Sequence, residues 1–152
     1  MTISKQNKRD IILVLILLFI IGSVFGYREF IYDPGETTVA KIFYGNASEP
    51  IVTIDFYNQQ IIVNYEQPNV TNYPIIDTIN KTITLLGDYE INNVRQEVVI
   101  QYDIDKKTVQ IIEEQSPYNV CSKQGESNGA AIICLPNGIR VEFSTATEDF
   151  VL

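Results

Sequence analysis

Histidine and tryptophan do not occur in this chain of 152 residues, methionine occurs only as Met1, and cysteine only as Cys121 and Cys134. Without histidine there is no imidazole to activate a serine or cysteine nucleophile, no histidine metal ligand and no histidine pH switch. Axial Met/His haem ligation has no material either. Basic residues are scarce: 11 Lys and Arg stand against 19 Asp and Glu. Four charged residues, Lys5, Lys8, Arg9 and Asp10, precede position 11; setting them aside leaves 8 basic and 18 acidic residues, a net of −10. Nucleic-acid binding rests on Lys and Arg neutralising phosphates, so this balance argues against a nucleic-acid partner and against docking on anionic lipid. It suits cationic partners or plain solubility.

Charge is also missing from one long stretch. From Ile11 to Gly26 there is no ionisable residue, and the 16 positions would span about 24 Å as a helix. A bilayer core of about 30 Å asks for slightly more. Snorkelling Lys8 and Arg9 and the interfacial rings of Tyr27, Phe30 and Tyr32 supply it. The basic residues lie before the run, so the positive-inside rule puts the N-terminus in the cytoplasm and the rest of the chain outside, as a single-pass protein of the cell membrane. A cleaved signal peptide ending at Val24-Phe25-Gly26 is the rival reading. A buried core helix fits poorly because the run is apolar on every side. The expected layout is a basic N-terminus (1–10), a transmembrane anchor (11–27), a linker (28–37), a folded domain (38–145) and a tail (146–152).

The domain is rich in Ile, Val, Thr, Tyr and Phe and lacks a sustained 3.6-residue period, which favours strands. Val52, Ile54 and Phe56 alternate with Thr53, Asp55 and Tyr57, the pattern of a half-buried strand. Strands are expected at Val39 to Tyr44, Ile51 to Tyr57, Gln60 to Tyr65, Lys81 to Leu86, Glu97 to Ile104, Thr108 to Glu113 and Gly138 to Phe143. Asn58-Gln59 and Asp105-Lys106-Lys107 read as hairpin turns, and Gln67 to Pro74 as a loop. The expectation is an all-β fold, a small barrel or sandwich of about six to eight short strands after one N-terminal transmembrane helix. No internal repeat stands out. Asp103 and Asp105 beside Lys106 lack the offsets of a calcium loop and read as a solvated turn. Glu113-Glu114 reads as a surface pair.

The cysteines sit in Ser116-Pro117-Tyr118-Asn119-Val120-Cys121-Ser122-Lys123-Gln124-Gly125, followed by Ile132-Ile133-Cys134-Leu135-Pro136-Asn137-Gly138. This segment resembles the NusG domain II family, a small β domain inserted in some bacterial NusG proteins and also found alone behind an N-terminal membrane helix. Pro117, Cys121, Gly125, Cys134, Leu135, Pro136 and Asn137 carry the likeness, which extends over about residues 95–143. The family often has a third cysteine where this chain has Ser116, so a three-cysteine cluster is not available. What the resemblance implies is a non-enzymatic accessory or assembly domain, without cofactor, among membrane or surface proteins. Stand-alone relatives accompany flavoproteins, which implies a link to flavin-based extracellular electron transfer.

Physical chemistry weighs the cysteine pair separately. Outside the cytoplasm paired cysteines usually oxidise. A Cys121–Cys134 bridge closes a loop of 14 residues, worth about 3 kcal/mol by loop entropy. Redox-active pairs favour Cys-x-x-Cys at a helix start, which lowers a thiol pKa; twelve intervening residues in a β context give neither. A structural staple is therefore expected, with a redox pair and free or metal-binding thiols as rivals. No catalytic or metal-binding residue is expected, and no ligand-binding residue is identified. A generic extracellular protein- or polymer-binding module is the alternative function; a transcription-related role is opposed by the charge and the apolar run.

Overall fold

A computed structural model describes residues 12–23 and 37–145. The chain divides into two units at position 36, and each is treated by itself. In the first, residues 12–23 form a helix whose side chains are all exposed, from Ile12 to Ser23. Its 12 residues span about 18 Å. Among the described residues no helix is long and apolar enough to cross a membrane. The expected basic flank, the aromatic flank and most of the linker lie outside the described residues, as does the expected tail.

Among its described residues the second unit is an antiparallel β structure of two sheets, with no closed barrel. One sheet has the order β3-β2-β1-β9-β8, from β1 (Thr37–Tyr44), β2 (Val52–Asp55), β3 (Gln60–Val63), β8 (Ile132–Cys134) and β9 (Ile139–Thr145). The other is a meander, β4-β5-β6-β7, from β4 (Ile75–Asp77), β5 (Thr82–Ile91), β6 (Val94–Asp103) and β7 (Thr108–Glu113). Alternate residues point inward: Ala40 and Ile42, Val52 and Ile54, Ile83 and Leu85, Val98 and Ile100, Val109 and Ile111, Ile139 and Val141 form one buried cluster spanning both sheets. Each fully buried Ile contributes roughly 2 kcal/mol of apolar burial, so the period-2 pattern is the main determinant of the fold.

The nine strands among the described residues exceed the expected six to eight. Two were not anticipated, β4 and β8, each three residues long. β5 and β6 are ten residues each and longer than expected. They join through Asn92-Asn93, both at positive φ (53° and 62°), the backbone of a two-residue hairpin turn that asparagine tolerates. Gly87, Asp88, Glu90, Asn92 and Asn93 break up the apolar pattern and conceal this hairpin from a hydrophobicity reading.

Three four-residue hairpin loops use one device. Asp55, Asp77 and Asp103 end their strands and face Gln60, Thr82 and Thr108 across the turn. Each Oδ1 accepts the N–H groups two and three residues on: Tyr57 and Asn58 (3.0 and 2.8 Å), Ile79 and Asn80 (both 2.9 Å), Asp105 and Lys106 (3.0 and 3.1 Å). The last loop residue turns to positive φ in all three, at Gln59 (55°), Lys81 (55°) and Lys107 (57°). These hydrogen bonds, those from Asn58, Asn80 and Lys106 first among them, hold the three carboxyls below the usual aspartate range. The sequence therefore carries a short repeat, Asp-x-x-Asn/Lys-x, that a search for long repeats passes over.

Candidate functional site

Cys121 and Cys134 form a disulfide with Cα atoms 5.2 Å apart, inside the normal range for a bridge. Cys134 ends β8, an edge strand of the first sheet; Cys121 lies between two 3-10 turns, Pro117–Asn119 and Ser122–Gln124, in the connection leaving β7 of the second. The bridge thus ties the margins of the two sheets together. The connection is also pinned to β7 by a backbone bridge between Ser127 and Val109. Cys121 is 1% exposed and Cys134 0%. An attacking thiolate must reach a sulfur to exchange, and this burial slows attack on either one while the domain stays folded.

Beneath the bridge lies a polar cluster. Glu114, only 3% exposed, accepts the Cys121 N–H at Oε1 (2.9 Å) and the Asn137 side-chain amide at Oε2 (3.1 Å). The same Asn137 Nδ2 lies 3.3 Å from Cys134 Sγ. This corrects the reading of Glu113-Glu114 as a surface pair: Glu113 is exposed and Glu114 buried. The cause is a β-bulge. Ile100 pairs with Ile111 but Val99 with Glu113, leaving Ile112 as an extra residue. One inserted residue reverses the in–out phase beyond it, so Glu114 turns inward. No local sequence signal marks the insertion.

Asn137 is fully buried in the 3-10 turn Leu135–Asn137. Room for it comes from Gly87 on β5, where a Cβ would stand 2.1 Å from Asn137 Oδ1 and 2.7 Å from its Cγ. Gly87 lies at an irregularity between Leu86 and Glu90 that polar side chains hold in place. Buried Gln67 accepts the Leu86 N–H (2.9 Å) and donates to the Leu86 carbonyl. Arg95 donates to the carbonyls of Gly87 and Leu86 (both 2.8 Å) and to Asp88 (3.2 Å). Tyr44 donates to Asp88 and receives from Arg95. Burial first, and then the Asp88 hydrogen bond, raises the Tyr44 hydroxyl above its ordinary pKa. Gln67, Gly87 and Arg95 went unnoticed in the sequence, and Asn137 and Glu114 were named there without these contacts, because the partners are distant along the chain.

The other residues of the motif serve the loop. Pro117 opens the first 3-10 turn and Gly125 ends the second with φ 78°. Gly138 follows Asn137 at φ 63°, left-handed. Leu135 and Pro136 are exposed, Leu135 by 83%. Leu135 does not stand alone: Tyr118 (85%), Val120 (53%) and Ile133 (52%) also project from the residues around the bridge. The free margin of β8 is covered, because Gln124 accepts the Ile133 N–H (3.1 Å) and donates to the Ile133 carbonyl (2.8 Å). β3, the opposite margin of that sheet, exposes Ile62 and Val63.

Glu114, Cys121 and Cys134 place their ligand-type atoms within 4.8 Å of one another, but a disulfide has no thiolate to offer a metal. The surface cleft lined by Lys81, Asp103, Lys106, Thr108 and Glu126 brings Lys106 within 3.7 Å of Glu126 and 3.8 Å of Asp103, and Thr108 donates its hydroxyl to Glu126 (2.5 Å). No family model, curated protein or solved structure matches the chain.

Proposed function

We propose that this chain is an extracytoplasmic docking domain without a catalytic step, tethered to the cell membrane by its N-terminal segment, whose disulfide end meets a partner protein. The observation that carries this reading is the buried Cys121–Cys134 bridge flanked by exposed Tyr118, Val120, Ile133 and Leu135. A buried staple suits an oxidising compartment, and exposed apolar side chains beside a cross-linked loop suit a protein interface. The tether is supported by the uncharged run 11–26, of which residues 12–23 form a helix apolar on all sides and exposed throughout. The helix alone is too short for a bilayer, so a span needs residues on both sides of it.

Partners are expected among membrane and surface proteins. The likeness of residues 116–137 to the NusG domain II family directs the search to flavoproteins of extracellular electron transfer. A second reading is strand addition at β3, which ends its sheet with Ile62 and Val63 exposed, whereas Gln124 covers the margin of β8.

A photo-crosslinking side chain at Tyr118 or Leu135, and separately at Ile62, distinguishes these readings in native membranes. Crosslinks to a membrane or surface protein from the first two positions support docking at the disulfide end; crosslinks from Ile62 alone transfer the role to β3. Recovery of RNA polymerase or ribosomes would sink both. Protease added to intact cells should remove the domain, and its survival would refute the topology.

A further inference from the structure

We propose that, once the bridge is reduced, Cys121, Cys134 and Glu114 bind one zinc ion between them. The donor atoms of the three residues already lie within 4.8 Å of one another and all three residues are buried. Tetrahedral zinc, with Zn–S near 2.3 Å and Zn–O near 2.1 Å, needs sulfurs about 3.8 Å apart and an oxygen about 3.5 Å from each. The donor atoms lie at most 4.8 Å apart, so the carboxylate closes on the sulfurs by no more than about 1.3 Å, a movement that small side-chain rotations deliver.

The surroundings fit an anionic cluster. Cys121 N–H and the Asn137 amide already donate toward Glu114, and Asn137 Nδ2 also faces Cys134 Sγ; such donors around ligands strengthen a metal site. Asn137 Oδ1 is buried with no hydrogen-bond partner. Turning that amide over exchanges its oxygen and nitrogen without moving the side chain's outline, and would offer the metal an oxygen as fourth ligand in place of those two Nδ2 contacts. Two thiolates with a carboxylate favour zinc over magnesium or calcium, which take oxygen alone.

The chemistry balances with a dithiol as reductant. It supplies two electrons and two protons, becomes a disulfide, and leaves Cys121 and Cys134 as thiols. Zinc then displaces both thiol protons to solvent as two Zn–S bonds form. This inference concerns the reduced chain and stands apart from the docking reading.

The test uses the full chain, reduced with a phosphine under anaerobic conditions and titrated with cobalt(II), then zinc. The expected result is a sulfur-to-cobalt charge-transfer band saturating at one equivalent and erased by zinc, with none from the oxidised protein. Glu114→Gln should weaken zinc affinity about 10-fold or more, and Cys121→Ser should abolish the band. Circular dichroism reports folding alongside. No band, undiminished affinity in Glu114→Gln, a band retained in Cys121→Ser, or a reduced chain that stays unfolded in excess zinc would each overturn the proposal.

Discussion

Two sets of carboxylates do the same chemical job in opposite surroundings. Asp55, Asp77 and Asp103 accept backbone N–H groups from two and three residues ahead, at exposed hairpin turns. Glu114 accepts the Cys121 N–H from seven residues ahead and a side-chain amide 23 residues away, in the interior. In water a lost acceptor is replaced by solvent; inside, a donor left unpaired bears its whole desolvation cost. The turn carboxylates therefore set local shape, while Glu114 belongs to the joint between the two sheets.

The sharpest way to break the comparison is at the bridge. Cys121→Ala with Cys134→Ala should cost about 3 kcal/mol in denaturant unfolding; a loss below about 1 kcal/mol would mean that the joint is held by the polar cluster alone. Glu114→Ala should cost about 2 kcal/mol, since it strands the Cys121 N–H and the Asn137 amide together. Gly87→Ala should cost about 1–2 kcal/mol by forcing Asn137 aside, with the Asn137 amide resonance displaced in NMR spectra. Unchanged stability there would put the Gly87 contact in doubt.

The smallest effect belongs to the turns and appears only in acid. Each Asp carboxyl is held below its ordinary range in the folded state, so the unfolded chain binds protons first as pH falls. Their contribution is present above about pH 4, the ordinary aspartate value, and is lost below it as the pH passes through the lowered values. Replacing all three with Asn keeps an acceptor oxygen but removes the charge. The variant should show a flatter fall in stability between about pH 4 and 2, and an unaltered acid profile would remove the turns from the account.

Legibility in the sequence follows the same division. Alternation in Val52-Thr53-Ile54-Asp55 announces β2, and Thr108 to Glu113 reads as a strand with the bounds the structure gives it. The two cysteines and their turns are visible as a loop. Glu114 is not, because its inward direction depends on the single residue Ile112 inserted against β6. Gly87 and Asn137 lie 50 positions apart, and nothing near either one says that they meet. β4 and β8 are too short for a period to register.

The place of β1 in its sheet has a consequence for the order in which the domain assembles. β1 lies between β2 and β9, pairing Thr37 with Thr145 and Tyr44 with Ile139. The first strand of the domain thus waits for the last, about a hundred residues later, whereas β4 to β7 form by successive hairpins. Non-local pairing of this kind is slow. A chain emerging N-terminus first can complete the four-stranded meander early, but the five-stranded sheet only when β9 arrives. Pulsed hydrogen exchange during refolding should protect the β5 and β6 amides before those of β1 and β9; the reverse order would overturn this sequence of events.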